Sequence, residues 1–348
     1  MTGDQKNNFL TAVNRSTLWP LLGFLLAGLI STAVLAWHTR MEVTAAAKKE
    51  FQSNCDEILV RIQERLKIHE QILRSGAAFY EISRAVDRET WHQYVERQQV
   101  EQQLPGIQGF GVSLLIPRSE LPQHIKQIRN EGFPTYSVRP AGEREVYSAI
   151  IYLEPFTSRN LRAFGYDMFS EPVRREAMER ARDNDTAALS GKVILVQETD
   201  QDVQAGTLMY VPVYRPGMPH ATVAQRREAI KGWVYSPYRM NDLMRGILGR
   251  WDLKDSHFIR LQIFNGTSTA QQELLYDSQP KVTNNVESIP KLITANQISV
   301  AGQPWNLRFT QTSTGAAALD YSKVWFVLIA GSIISLLLTR IYYSLLIA

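Results

Sequence analysis

The chain has 348 residues, 45% of them hydrophobic and 21% charged, a balance that supports one or two packed domains and argues against disorder. Its 38 basic and 34 acidic residues leave a formal net charge of +4, but the two signs are intermingled and no basic run is long enough to follow a phosphate backbone, so nucleic acid is not an expected partner. A single cysteine, Cys55, excludes an intrachain disulfide and a disulfide-stapled scaffold, and leaves the compartment open.

In chain order, the first predicted element is apolar. Leu18 to Trp37 carries no charge between Arg15 and Arg40, and about 20 residues at a 1.5 Å rise span a hydrocarbon core of roughly 30 Å. A cleaved signal peptide has a shorter apolar core and a small-residue cleavage site, so the segment reads as an uncleaved membrane anchor, bracketed by Trp19 and Trp37 as interfacial aromatics. Met41 to Tyr80 then has no proline and one glycine, Gly76, in a helix-forming composition. Phe51, Cys55, Ile58, Ile62, Leu66, Ile72 and Leu73 recur at three- and four-residue steps, which predicts a stalk helix with one apolar stripe. Either the stripe packs on its own domain or it also pairs with a second copy in a homodimer; Arg65 and His69 beside it argue against a long uninterrupted coiled-coil seam.

From Leu104 the pattern changes to short apolar runs separated by turn residues. Strands are predicted within Leu104–Leu115 and at Lys192–Val196, Thr207–Tyr214 and Ile230–Tyr235, with a helix over Glu171–Asp183 whose Pro172 suits a first turn. A second set follows: a helix over Asp242–Arg250 and strands at Phe258–Phe264, Leu274–Tyr276, Gln297–Val300 and Trp305–Thr310. Val324 to Thr339 is again apolar, and the helix can continue past Arg340 if that side chain snorkels. The fold class is therefore α+β. Its expected organisation is a cytoplasmic N-terminus (1–16), a first membrane helix (17–38), a stalk region (39–103), a membrane-distal module (104–240), a membrane-proximal module (241–320) and a second membrane helix (323–345). Two spans put both termini on one side, and Arg340 favours the cytoplasm for the C-terminus, which places the central domain in the periplasm of a two-pass inner-membrane protein.

Phosphate-cradling loops, zinc helices, CxxC pairs and nucleophile elbows are all missing from the sequence. The six histidines lack ligand spacing, so no metal, cofactor or catalytic residue is expected and the chain reads as a binding protein rather than an enzyme. Tyrosines are dense in the first module, Tyr152 and Tyr210 among them, and suit either a core or an apolar pocket with a few polar handles.

Five ordered blocks carry a resemblance: LPGIQGFGVSLLIP (Leu104–Pro117), EGFPTYSVRP (Glu131–Pro140), the run from Tyr152 to Thr199, TLMYVPVYRP (Thr207–Pro216) and IKGWVYSPYRMNDLM (Ile230–Met244). Together they resemble the CHASE family of extracytoplasmic sensor domains, over about residues 74–249. The resemblance implies a long stalk helix followed by two PAS-like modules, the distal one holding a small molecule. In the plant cytokinin receptors of the family an aspartate in a segment similar to GYDMFSEP bonds the adenine of the ligand, which implies Asp167 here; similar matching implies Leu189 and Thr199 as ligand-facing. A carboxylate in an apolar stretch can accept a charge-assisted hydrogen bond. It can equally cap the helix near Glu171 or pair with Arg174 or Arg175, and an adenine-like ligand does not follow from the aspartate alone. Family members commonly continue into a cytoplasmic histidine kinase or cyclic-nucleotide or diguanylate module, so an output module or partner beyond Ala348 is expected. The rival expectation is a protein-interaction ectodomain with no small-molecule pocket.

Overall fold

The computed structural model describes residues 15–83, 85–100, 106–249, 259–279, 292–312 and 321–347. They fall into two units, residues 1–53 with 314–348 and residues 54–313. Most of the expected N-terminal segment, and the start of the strand run at Leu104, lie outside the described residues.

Helix α1 runs Arg15–Ile82, and the last helix, α7, runs Ser322–Ile347. Each contains a stretch long and apolar enough to cross a membrane. Within the first unit small residues let the two helices approach. A Cβ added at Gly28 would stand 2.7 Å from Ser335 Oγ, and one at Gly331 would stand 2.5 Å from Thr32 Cγ2. Phe24 stacks on Tyr342 at 5.2 Å, so the register along the pair is antiparallel. Close backbone approach through Gly, Ser and Thr is how apolar helices gain contact where no hydrophobic force separates them from lipid.

In the second unit the predicted apolar stripe is buried: Cys55, Ile58, Ile62, Leu66 and Leu73 are all closed to solvent. After α1 comes a short helix, α2 (Arg88–Arg97), capped by Asp87, whose carboxylate accepts from Thr90 N. Strand β1 (Phe110–Pro117) leads to α3 (Leu121–Asn130), β2 (Val146–Glu154) and α4 (Pro172–Asn184). The two-residue β3 (Ala188–Leu189), β4 (Gly206–Tyr214), α5 (Val223–Ala229), β5 (Ile230–Arg239) and α6 (Met240–Leu248) follow. Among the described residues these strands form one antiparallel sheet in the order β2-β1-β5-β4-β3. A second antiparallel sheet, ordered β7-β6-β9-β8, is built from β6 (Ile259–Asn265), β7 (Leu274–Asp277), β8 (Ile293–Val300) and β9 (Gln303–Gln311). The architecture is thus mixed α and β, with a long N-terminal helix, two antiparallel sheets and two apolar helices.

The first sheet is covered on both faces. Alternation along β5 sends Trp233 and Tyr235 to the face covered by α4, where Trp233 Nε1 donates to Met178 O at 3.0 Å. Val234 and Tyr238 point the other way, to α1: Tyr238 stacks on His69 at 5.5 Å, and a Cβ on Gly76 would collide with Phe110 at 2.7 Å.

One predicted strand does not form. Lys192–Val196 makes only a single bridge, Val193 with Gly206. Val193 and Leu195 turn inward as alternation predicts, but Ile194 O is taken by Arg174 Nη2 at 2.8 Å, so an arginine side chain replaces the ladder that a strand would need. Conversely β2 was not predicted as a strand. Its residues are buried on both faces, which removes the alternation that identifies a half-exposed strand.

Candidate ligand site

The α4-covered face of the first sheet brings together two buried phenols and, at its edge, a buried carboxylate. Tyr210 on β4 stands directly opposite Tyr235 on β5, with ring centres 6.1 Å apart. Tyr235 in turn lies over Gly111 of β1, where a Cβ would come within 2.8 Å of its ring. Met168, Phe169, Met178 and Trp233 complete an apolar cluster around the two phenols. The Tyr210 hydroxyl faces Met168 Sδ at 3.6 Å, while the Tyr235 hydroxyl is buried with no hydrogen-bond partner. Burial raises both phenol pKa values, so both rings stay neutral donors.

Asp167 borders this cluster beyond the β2 edge, next to Met168, and is fully buried. One oxygen, Oδ1, accepts from Ser148 N at 2.7 Å and Phe169 N at 3.1 Å. The other, Oδ2, has no hydrogen-bond partner, and Arg144 Nη1 stands 3.4 Å away. Burial is the largest influence on the carboxyl and pushes its pKa up, against the pull of the two amides and Arg144. Helix capping falls instead to Glu171, which accepts from Val173 N and Arg174 N. Arg174 goes to Tyr166 Oη and Ile194 O, and Arg175 to Glu179, so neither arginine takes Asp167 as a hydrogen-bond partner.

The five residues singled out from the sequence do not converge on one point. Asp167 and Tyr210 share the α4 side. Leu189 pairs with Met209, the neighbour of Tyr210, so it points to the opposite face. Tyr152 also faces α1 and α2: it packs edge-on to Tyr80, and its hydroxyl donates to Val86 O at 3.0 Å. Burial pushes its pKa up to about 12. Thr199 sits on the loop between β3 and β4, where its hydroxyl donates to Gln201 O at 3.1 Å. That loop is pinned by Arg239, which bonds Glu198 Oε1 at 2.6 Å, and by Arg162, which bonds Glu198 O at 2.8 Å.

Sequence reasoning did not single out Tyr235 and named Arg174 only as a candidate ion-pair partner of Asp167. Tyr235 could have been found by counting alternate positions from Trp233 along β5; Arg174, only 3% exposed, offered no signal on a helix full of arginines. Three cavities lie elsewhere in the unit: about 320 Å³ beside His92 and Glu154, about 750 Å³ beside Leu66 and Ala301, and about 360 Å³ between Arg180 and Asn265. Asp167 lines none of the three. No cluster of three or more His, Cys, Asp or Glu side chains fit to hold a metal occurs among the described residues.

Comparison with known proteins bears on what the site serves. The CHASE domain family matches residues 84–276, more than half of the chain. Probable histidine kinase 6 of Oryza sativa subsp. japonica is 24% identical over 265 residues, 74% of this chain and 26% of that protein. Histidine kinase 2 of Arabidopsis thaliana is 24% identical over 279 residues, 74% of this chain and 23% of that one. The chain therefore spans about a quarter of the length of the curated relatives it matches. Among solved structures, an extracellular ligand binding receptor from Desulfohalobium retbaense is similar at a TM-score of 0.41 and 11% identity, over 76% of this chain and 39% of that one. The periplasmic sensory domain of the Campylobacter jejuni chemoreceptor Tlp1 gives 0.41 and 9%, over 78% and 94%. By the family match over residues 84–276, the chain belongs to the CHASE family of extracytoplasmic sensor domains.

Proposed function

We propose that the chain is the ligand-sensing input of a two-pass membrane receptor, binding a small molecule on the α4 side of the first sheet. The observation that carries this reading is Asp167 Oδ2, a fully buried carboxylate oxygen with no hydrogen-bond partner. Its ion pair is with Arg144, 3.4 Å away, and a ligand N–H would add the hydrogen bond that this oxygen lacks. Tyr235 Oη, orphaned in the neighbouring cluster, supplies a second polar handle. Tyr210 shares this wall, Thr199 belongs to the covering loop, and Leu189 and Tyr152 respond through the opposite face. An adenine-like ring, flat with N–H donors on its edge, is one chemistry that suits a carboxylate flanked by aromatic rings. The two sheets are the PAS-like modules of this reading, the first membrane-distal and the second membrane-proximal. Occupancy passes through α1 and α7 to a kinase or nucleotide-cyclase type of output, with a homodimer as the signalling form; for that the ligand must favour one of two arrangements by differential affinity.

The test is thermal unfolding of the full chain in detergent against adenine derivatives, other purines, amino acids, organic acids and aromatic amines. A ligand at about 100 times its Kd adds roughly 2.7 kcal/mol of stability. Loss of that shift in Asp167→Ala and its weakening in Tyr235→Phe are expected; a ligand whose shift survives both changes would sink the assignment. Exposed Ile194 and Val203 on the loop between β3 and β4 favour a second reading, a protein-interaction ectodomain, which gains if no compound in the panel shifts a folded chain.

A further inference from the structure

Arg88 opens α2, next to the N-cap Asp87. Its guanidinium carbon lies 4.5 Å from the ring centre of Phe133, 5.0 Å from Phe164, and 5.1 Å from both Phe156 and Tyr152. Phe133, Phe156 and Phe164 also meet one another edge to face, with centres 5.0 to 5.8 Å apart, so the rings are walls of one enclosure. They come from separate stretches: Phe133 follows α3, Tyr152 is on β2, and Phe156 and Phe164 flank the 3-10 turn Ser158–Ala163. Arg139 Nη2 donates to the carbonyls of Arg162 and Phe164 and fixes the last of them.

What the guanidinium lacks is as informative as what it touches. Nη1 donates to Ile151 O at 3.0 Å, but Nε and Nη2 are buried without a hydrogen-bond partner, and the nearest carboxylate oxygen, Glu131 Oε2, is 3.8 Å from Nη2. A largely buried cation with one carbonyl hydrogen bond and one long ion pair, to Glu131, leans on the quadrupoles of the four rings for the rest of its stabilisation. Such an enclosure selects cations that are weakly hydrated, guanidinium and methylated ammonium above a bare ammonium.

We propose that Phe133, Tyr152, Phe156 and Phe164 form a recognition site for small organic cations, which the chain fills with its own Arg88, and that a guanidinium or methylated ammonium ligand displaces Arg88 and loosens the N-terminal end of α2. Arg88 is suited to leave: its side chain keeps 22% of its surface open to solvent and gives up one hydrogen bond and a long ion pair, to Glu131 at 3.8 Å, that a ligand cation can replace. The site lies on the α1 and α2 side of the sheet, so it stands or falls independently of Asp167.

In the full chain in detergent, Arg88→Ala leaves the four rings around a vacated space. Titration with N-ethylguanidinium and tetramethylammonium, against the neutral N-ethylurea and tert-butanol, reads the selectivity by calorimetry. Saturable binding with at least about a tenfold preference for the cations is expected, lost when Phe164→Leu is added. Equal affinity for charged and neutral probes, or no saturable binding, overturns the site. Should Arg88→Ala fail to fold, amide hydrogen exchange of Asp87–Arg97 in the unaltered chain decides the matter. Faster exchange with the cations and not with the neutral probes supports displacement; unchanged exchange overturns it.

Discussion

The two sheets bury their strands in different ways. Every residue of β4 is buried, and all but one of β5, because α1 covers one face and α4 the other. In β9 buried Trp305, Leu307 and Phe309 alternate with half-buried Asn306, Arg308 and Thr310, the pattern of a sheet with one open face. A sheet closed on both sides must enclose polar atoms, and each of those is costly unless it finds a partner. On the α4 side the Tyr235 hydroxyl is buried without a hydrogen-bond partner, and Asp167 Oδ2 has only the ion pair with Arg144 at 3.4 Å. On the second sheet the outward Asn306, Arg308 and Thr310 are only partly buried, yet Trp305 Nε1 and Asn306 Oδ1 also lack a hydrogen-bond partner, so the sheets differ in coverage and not in having unpartnered polar atoms.

Large-to-small changes test whether both cores are real. Trp233→Ala in the first sheet and Trp305→Ala in the second remove fully buried indoles, and each should cost about 3–5 kcal/mol in urea unfolding. A loss below about 1 kcal/mol at Trp305 would break the comparison by showing that the second sheet contributes little.

His69 sharpens it from the α1 side. The ring is 1% exposed, stacks on Tyr238, and its Nδ1 has no partner; burial, then the neighbouring Arg65, holds its pKa down to about 4. Because the folded value lies below the unfolded value of about 6.5, stability is whole above that pH and is lost as pH falls through the window toward 4, by roughly 3 kcal/mol for this group. Urea midpoints across that range should show the slope in the native chain and a flatter profile in His69→Phe. An unchanged slope would mean that water reaches this face.

Smaller effects follow. Glu171→Ala uncaps α4, the cover of the candidate site, and should cost about 1 kcal/mol. Gln297→Ala, on an exposed position of β8, should stay within about 0.5 kcal/mol in the same assay. A larger cost there would reveal a covered outer face on the second sheet.

Elements whose pattern is periodic were legible. The apolar ends, the stripe from Cys55 to Leu73, the helix after Pro172 and strand β9 carry their signal in residue spacing, while β4 and β5, buried on both faces, showed as continuous β-branched and aromatic runs between turn residues. Lys192–Val196 misled because a short apolar run looks the same whether or not a neighbouring strand exists to pair with it. Within the candidate site, Asp167 came from resemblance; its composition would not have separated it from the other acidic residues. Tyr152 and Leu189 were named with Tyr210, but a strand sends alternate side chains to opposite faces, and which face meets which helix is not written in the strand itself.

By itself the sequence determined the two apolar helices, the stalk stripe and the α+β class, because hydropathy and periodicity act along the chain and need no partner to be read, while the family came from the resemblance of five ordered blocks. Only the tertiary structure decided which polar atoms are buried without a partner, and that Arg88 rests among four rings drawn from segments far apart in the chain. Satisfaction of a buried donor or a cation depends on where distant residues arrive, and that is a property of packing rather than of any one segment.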